Sequence, residues 1–320
     1  MLDAQQMRAA VLHKVGETPR YEPFPVPVAG NGEAVVTVTA AALKPSDRLM
    51  ANGVHYAPAA FPQVAGLDGV GRLADGSRVA FFIPQQPFGG MAEQTLVRAG
   101  VWLPVPDGAD DVTAAAFLNP GVAAWKALVW DGELAAGQTV LVLGATGTSG
   151  RIAVQLAARQ GARVVAAGRS RRVLDDLRAR GTAAAIRVDR PRDELAAAIA
   201  AVGPYDLVVD YLWGAPAEAV FAALPDAGAV AERIRYVLVG MSAGEVAGLP
   251  AMALRKAPVQ IFGSGTGGRA GLAESASAYE SLLKKVAAEE ITLDVDALPL
   301  SGVQKAWAHP DGGRRVVFVP

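Results

Sequence analysis

The stretch Leu141–Arg172, LVLGATGTSGRIAVQLAARQGARVVAAGRSRR, holds a strand, a glycine-rich turn, a helix and a second strand, in that order. Its opening, with Thr139 and Val140 before it, is a continuous apolar run of the kind buried on both faces of a parallel sheet. The turn is Gly144-Ala145-Thr146-Gly147-Thr148-Ser149-Gly150, the helix is stopped by Gly161, and ARVVAAG is the second strand. Such a βαβ unit suits a dinucleotide. Gly147 lets the backbone approach a pyrophosphate, Gly150 allows close helix–strand packing, and the amides of Thr148 and Ser149 face the anion where the helix opens. In the register Ala145-x-Gly147-x-x-Gly150, Ala145 stands in place of the first fingerprint glycine, so the strand before and the helix after carry the reading.

An acid about 20 residues past the glycines normally accepts from the adenosine ribose hydroxyls. That position falls near Gly168, where the chain reads Gly168-Arg169-Ser170-Arg171-Arg172. With no carboxylate there, a 2′-phosphate meets no repulsion, and Arg169, Ser170 and Arg171 or Arg172 offer charge-assisted donors. The expected cofactor is NADPH rather than NADH. The competing reading makes these arginines the solvated start of a helix, since two adjacent arginines cannot both point inward.

Downstream come a helix around Val173 to Arg180, a short strand AAIRVD, the helix DELAAAIAAVG, and three more apolar runs, YDLVVDYL, IRYVLVGM and VQIFGSG. Six strands alternating with helices predict an α/β, doubly wound parallel sheet. Ligands in such sheets lie beyond the carboxyl ends of strands. Gly240-Met241-Ser242 and Gly263-Ser264-Gly265 are therefore expected to border the nicotinamide half of the cofactor, with Asp210 and Tyr211 as further candidates.

Upstream, from Met7 to about Leu103, short strands alternate with turns: MRAAVLHKVG, GEAVVTVTAAAL, GVGRLADGSRVAFF with Asp75-Gly76 as its turn, and MAEQTLVRAG. From about Thr113 the period becomes helical, with an interruption expected at Asn119-Pro120. The tail, after the helix ESASAYESLLKKVAAEE, ends in a strand expected to return to the N-terminal β region. The first domain would then be discontinuous, residues 1–122 and 269–320, around a dinucleotide-binding domain at 123–268.

Composition narrows the function classes. The 320 residues are 52% hydrophobic and 19% charged, the balance of a globular protein, with 30 basic against 31 acidic residues. No long-range positive field is available for nucleic acid. The absence of cysteine excludes disulfides, a thiol nucleophile and cysteine-ligated zinc, so redox chemistry has to be borrowed from a cofactor. The N-terminus lacks an apolar h-region and the longest apolar stretch, near Val112 to Trp125, is broken by Asn119-Pro120-Gly121, so a cytoplasmic protein without a membrane span is expected. GMSAG has G-x-S-x-G spacing but follows an expected dinucleotide-fold strand, and none of the three histidines is placed by a motif to serve Ser242, which argues against a hydrolase. His13 and His309 are too isolated to form a site together.

Several segments together resemble the zinc-independent quinone oxidoreductase branch of the medium-chain dehydrogenase/reductase superfamily. They are AALKPSDRLMANG, VAGLDGVGRL, FGGMAEQTLV, FLNPGVAAWKAL, GATGTSGRIAVQLA and the closing GRRVVFVP, and they span nearly the whole chain. The resemblance implies a GroES-like β-rich catalytic domain, a Rossmann domain, and a cleft between them. It implies hydride transfer from NADPH to a quinone or to the β-carbon of an α,β-unsaturated carbonyl, and commonly a homodimer joined along the Rossmann sheet edges.

Zinc-dependent relatives carry a cysteine, a histidine and a glutamate at matching places. Here Lys44 stands where that cysteine, or the zinc-less branch's asparagine, would be, and Gly66-Leu67-Asp68 has neither histidine nor glutamate, so no catalytic metal can be built from these residues. Lys44 reads equally as an ammonium polarising a carbonyl oxygen and as a lysine at a strand end. Tyr56 falls in a region where relatives place aromatic pocket residues, and its phenol suits an oxyanion contact or proton donation; His55 is a second candidate, and packing under a proline-rich loop is the alternative for each. Asp47 is read as holding the turn. Asn119 lies where the family's chain passes the nicotinamide. The loop FFIPQQPFGG, Phe81 to Gly90, indicates an apolar pocket rim. A protein that binds NADPH with little turnover, or a zinc-free alcohol or carbonyl oxidoreductase, are the alternative functions.

Overall fold

The structure, a computed structural model, describes residues 5–228, 233–265, 271–308 and 313–320. The chain divides into two compact units, Met1–Asn119 with Gly271–Pro320, and Pro120–Ala270.

The first unit begins as a β structure. Strands β1 (Gln6–Leu12), β2 (Arg20–Pro25) and β3 (Glu33–Ala42) precede a short helix α1 (Pro45–Ala51), and β4 (Gln63–Val64), β5 (Asp68–Arg72), β6 (Arg78–Phe82), β7 (Gln94–Arg98) and β8 (Trp102–Pro104) follow. β2, β1 and β4 form a three-stranded sheet, in which β2 is an edge. That edge position explains how RYEPFP becomes a strand despite Pro23 and Pro25, since an edge strand tolerates lost ladder donors. β5 and β6 are antiparallel across the Asp75-Gly76 turn, where Gly76 adopts φ 86°.

Helix α2 (Asp111–Trp125) is continuous through Pro120 and runs on into a π-helical turn, Lys126–Trp130. The interruption expected at Asn119-Pro120 is thus corrected. An internal proline costs about 3 kcal/mol, but Phe117 and Leu118 are fully buried, and burying two such side chains contributes about 1.5–3 kcal/mol each. By length and composition Asp111–Trp130 could cross a membrane, yet 56% of its most apolar window is buried within the protein, as in a core helix.

The second unit alternates strand and helix: β9 (Thr139–Leu143), α3 (Thr148–Arg159), β10 (Arg163–Gly168), α4 (Arg171–Ala179), β11 (Ala184–Arg187), α5 (Arg192–Ala200), β12 (Leu207–Asp210), α6 (Gly214–Ala223), β13 (Ile234–Leu238), α7 (Ala251–Lys256) and β14 (Val259–Gly263). All six strands are parallel, in the order β11-β10-β9-β12-β13-β14. This is the doubly wound sheet that the sequence predicts. The chain reverses its winding direction beside β9, and it is β9 that feeds the glycine turn.

Beyond α8 (Leu272–Ala287), strand β15 (Val295–Pro299), helix α9 (Val303–Ala308) and strand β16 (Arg315–Val319) complete the first unit. β16 pairs with β3 and β15, so the tail strand joins the N-terminal β structure in a seven-stranded sheet. His309 lies outside the described residues.

Candidate functional site

The glycines of the turn divide their work. Gly144 takes φ 93°, which closes the turn off β9. A Cβ on Gly150 would stand 2.2 Å from the Gly144 carbonyl oxygen, so this glycine lets α3 pack directly on the turn. Gly147 is exposed, has φ −81°, and would place a Cβ no nearer than 3.5 Å to anything. Local packing therefore does not require Gly147 to be glycine, and its backbone is open to close approach. Ala145 is fully buried and Thr146 half-buried. Among the described residues the amides of Thr148, Ser149 and Gly150 have no acceptor, as befits the first turn of a twelve-residue helix. Orphan amides and an open backbone together fit a pyrophosphate.

The other strand ends line up with this turn. In register, Leu143 pairs with Asp210, Asp210 with Leu238, and Leu238 with Gly263. Asp210, fully buried, accepts from the amides of Leu212 and Trp213 at 2.7 and 3.0 Å and from the Tyr236 hydroxyl at 2.6 Å. Burial lifts its carboxyl above the ordinary range despite those bonds. Asp210 is accordingly a brace for the loop after β12. Gly240 donates its amide to the Asp210 carbonyl and leaves no room for a side chain against Tyr211, while Met241 is exposed. Ser242 donates its hydroxyl to the Tyr211 carbonyl. Ser264 follows Gly263 and is buried, and its Oγ and the Tyr211 Oη have no hydrogen-bond partner among the described residues. From sequence Ser264 is expected to border the cofactor through its backbone; that its hydroxyl and the Tyr211 phenol lack partners among the described residues is visible only in three dimensions.

At the end of β10 the space an acidic side chain would need is filled. A Cβ on Gly168 would lie 2.4 Å from the Thr146 side chain. Arg169, Arg171 and Arg172 are exposed. Arg171 has a distant partner, Asp175 at 3.9 Å, and Arg169 and Arg172 have no ionic partner among the described residues. Ser170 caps α4, accepting from the Val173 amide at 3.4 Å, a role the sequence reading did not give it.

In the first unit, Lys44 ends the segment after β3 and is almost completely buried. Its Nζ donates to Asp68 Oδ1 at 2.6 Å and to the Ala42 carbonyl at 3.1 Å, and lies 3.2 Å from Asp47 Oδ2. All three ammonium protons therefore have acceptors, so Lys44 is a buried ion-pair centre rather than a free electrophile, and the polarising role open to it in sequence finds no support in this geometry. Asp47 accepts from the Lys44 amide at 2.7 Å and from the Leu67 amide at 2.9 Å, fastening α1 to the segment before β5. Burial raises the Asp68 carboxyl, and Lys44 opposes that shift.

A cavity of about 400 Å³ opens in the same unit, lined among others by Tyr56, Gln63, Leu67, Ile83, Gln86 and Phe88. The Phe81–Gly90 loop thus supplies one wall. Tyr56 and Ile83 both adopt left-handed backbone, φ 52° and 48°, an arrangement that side-chain-bearing residues keep only where surroundings enforce it. The Tyr56 hydroxyl is buried without a partner among the described residues, and the exposed His55 ring lies 4.1 Å from the Tyr56 ring. Asn119 is an exposed residue within α2 rather than a turn residue. His13 is a surface residue, 2.6 Å from Glu22.

No family model matches the chain. It is 29% identical over 301 residues to prostaglandin reductase-3 of Bos taurus, spanning 87% of this chain and 75% of that protein. It is 28% identical over 324 residues to a probable NADPH-dependent quinone reductase, tdiC, of Emericella nidulans, spanning 85% of this chain and 88% of that protein. The quinone oxidoreductase of Thermus thermophilus, solved alone and with NADPH, matches with a TM-score of 0.75 at 27% identity, over 98% of this chain and 100% of that one.

Proposed function

We propose that this chain, which belongs to the zinc-independent, quinone oxidoreductase-like branch of the medium-chain dehydrogenase/reductase superfamily, is an NADPH-dependent oxidoreductase acting on a quinone or an α,β-unsaturated carbonyl. One observation carries the reading. The glycine turn on β9 opens into unpaired helix amides, and the end of the neighbouring strand offers Gly168 and three exposed arginines where an acid would select NADH.

The chemistry NADPH supplies when bound is a hydride, and one proton completes the two-electron reduction of the acceptor, with NADP⁺ as the other product. The Thr148 and Ser149 amides would hold the pyrophosphate, and Arg169 and Arg172 would take the 2′-phosphate with Arg171 in support. The Tyr211 and Ser264 side chains would border the nicotinamide half of NADPH. The Tyr56 hydroxyl donates to the acceptor's carbonyl oxygen, where negative charge develops, and either it or water delivers the proton. Such acceptors are already electrophilic, so the residues contribute orientation and charge stabilisation rather than a Lewis acid. Lys44 is a positioning residue through Asp47 and Asp68. The same reading makes the protein a cytoplasmic homodimer joined along the edges of the six-stranded sheet.

The test is NADPH oxidation followed at the nicotinamide absorbance band with a panel of quinones and of cyclic and acyclic enones, each repeated with NADH. Fast oxidation with one acceptor class and a preference for NADPH is expected. No oxidation by any acceptor, with NADPH demonstrably bound, would transfer the reading to a binding protein with little turnover.

A further inference from the structure

Gln63 lines the same cavity as Tyr56 and is 3% exposed. Its Nε2 donates to the Val64 carbonyl at 2.9 Å and to the Phe88 carbonyl at 3.3 Å. Two carbonyl acceptors fix which end of the amide is nitrogen, since an oxygen in that place would face two other oxygens. Oε1 is left buried, with no donor among the described residues. The Tyr56 hydroxyl is orphaned in the same way. A buried polar atom left unsatisfied is costly, and the residues lining the cavity include two with left-handed backbone, Tyr56 and Ile83. Two residues lining one cavity of about 400 Å³ therefore carry a buried donor and a buried acceptor, each without a partner among the described residues.

We propose that Gln63 is a specificity-determining residue: its Oε1 accepts a hydrogen bond from a hydroxyl or N–H group on a substrate whose carbonyl oxygen is bonded by Tyr56. The substrate class is thereby an enone or quinone that carries a second, neutral hydrogen-bond donor. A carboxylate at that place is rejected, because it would set an anionic oxygen against the amide oxygen. The inference rests on the reductase reading for the carbonyl half of the substrate, and the donor half follows from Gln63 alone.

The test uses the full chain with cyclohex-2-enone, its ring-hydroxylated positional isomers and the matching methoxy compounds as probes. Equilibrium binding is read by tryptophan fluorescence, and NADPH oxidation is measured on the same solutions. At least one hydroxylated isomer is expected to bind roughly tenfold more tightly than the parent, and its methoxy counterpart, which has no donor, is expected to bind like the parent. Gln63→Leu is expected to abolish the preference for the hydroxylated isomer over its methoxy counterpart. Should that variant fail to fold, the hydroxyl-against-methoxy comparison on the unaltered protein still decides. Equal binding of all probes, a preference that survives Gln63→Leu, or no binding by any probe, as when only water meets Oε1, would overturn the proposal. Selective binding without NADPH oxidation would sink the reductase reading and leave Gln63's role intact; oxidation without selectivity would do the reverse.

Discussion

Lys44 Nζ lies 2.6 Å from Asp68 Oδ1, and both side chains are almost wholly removed from solvent. A second carboxylate, Asp47, stands 3.2 Å from the same ammonium. Two buried carboxylates around one ammonium hold α1 and the start of β5 together.

Removing the cation alone strands the acids. Lys44→Met is expected to lower stability by about 3–5 kcal/mol, the usual cost of breaking a buried pair from one side. Adding Asp68→Leu should recover a large part of the loss, because a pair replaced by apolar groups is often near neutral. Denaturant midpoints of both variants check this; equal losses in the single and double variants would mean that the ion pair is not what the substitution disrupts.

Gly147 and Gly150 should separate binding from folding. Gly150→Ala drives a methyl into the Gly144 carbonyl and is expected to cost about 1–3 kcal/mol in stability. Gly147→Ala meets nothing nearer than 3.5 Å and should melt like the parent protein, yet bind NADPH more weakly because the methyl occupies the approach to the turn. Thermal melts paired with NADPH titrations measure both; unaltered affinity in Gly147→Ala would remove the turn from the cofactor site.

Cofactor choice is expected to reside at the end of β10. Arg169→Ala should weaken NADPH binding roughly tenfold or more, the worth of one charge-assisted hydrogen bond, and leave NADH unchanged. Gly168→Asp alone should destabilise the fold, since Thr146 occupies the space, whereas Gly168→Asp with Thr146→Gly should fold and turn preference toward NADH. Dissociation constants for the two nucleotides decide; a parent protein indifferent between them would refute the arginine assignment.

Asp210 gives a pH signature. Its carboxyl titrates above the ordinary value of 3.8 in the folded protein because it is buried. The folded state then binds the proton more tightly, so this contribution to stability is fully present below pH 3.8 and is lost as pH rises through the raised folded value. Asp210→Asn keeps acceptors for the Leu212 and Trp213 amides, and should flatten that part of the stability–pH curve while changing neutral stability by about 1 kcal/mol or less. Denaturant unfolding from about pH 4 to 7 tests it; an unaltered slope would assign the effect to other groups.

The strand–glycine–helix–strand unit is legible in the chain because its signals are local. Apolar runs of strand length, Gly161 at a helix end and glycines at a turn act within a few residues, so β9 to β14 and their order of appearance could be read directly. β2 and the continuity of α2 could not, since both depend on neighbours that make prolines tolerable. The glycine turn, the missing acid near Gly168 and the Tyr56 pocket wall belong to the local kind. Ser170's cap, the fate of Lys44, and the orphaned polar atoms of Gln63, Tyr211 and Ser264 belong to the other.

By itself the sequence determined the alternation of strand and helix, the lack of any thiol chemistry, and the absence of an acid beside Arg169, because each is a property of residue type and spacing. Only the tertiary structure decided that Lys44 is consumed by Asp68, 24 positions away, and that Gln63 keeps one acceptor unpaired among the described residues. Whether a polar atom is available for chemistry depends on which distant groups reach it first, and folding, not composition, makes that choice.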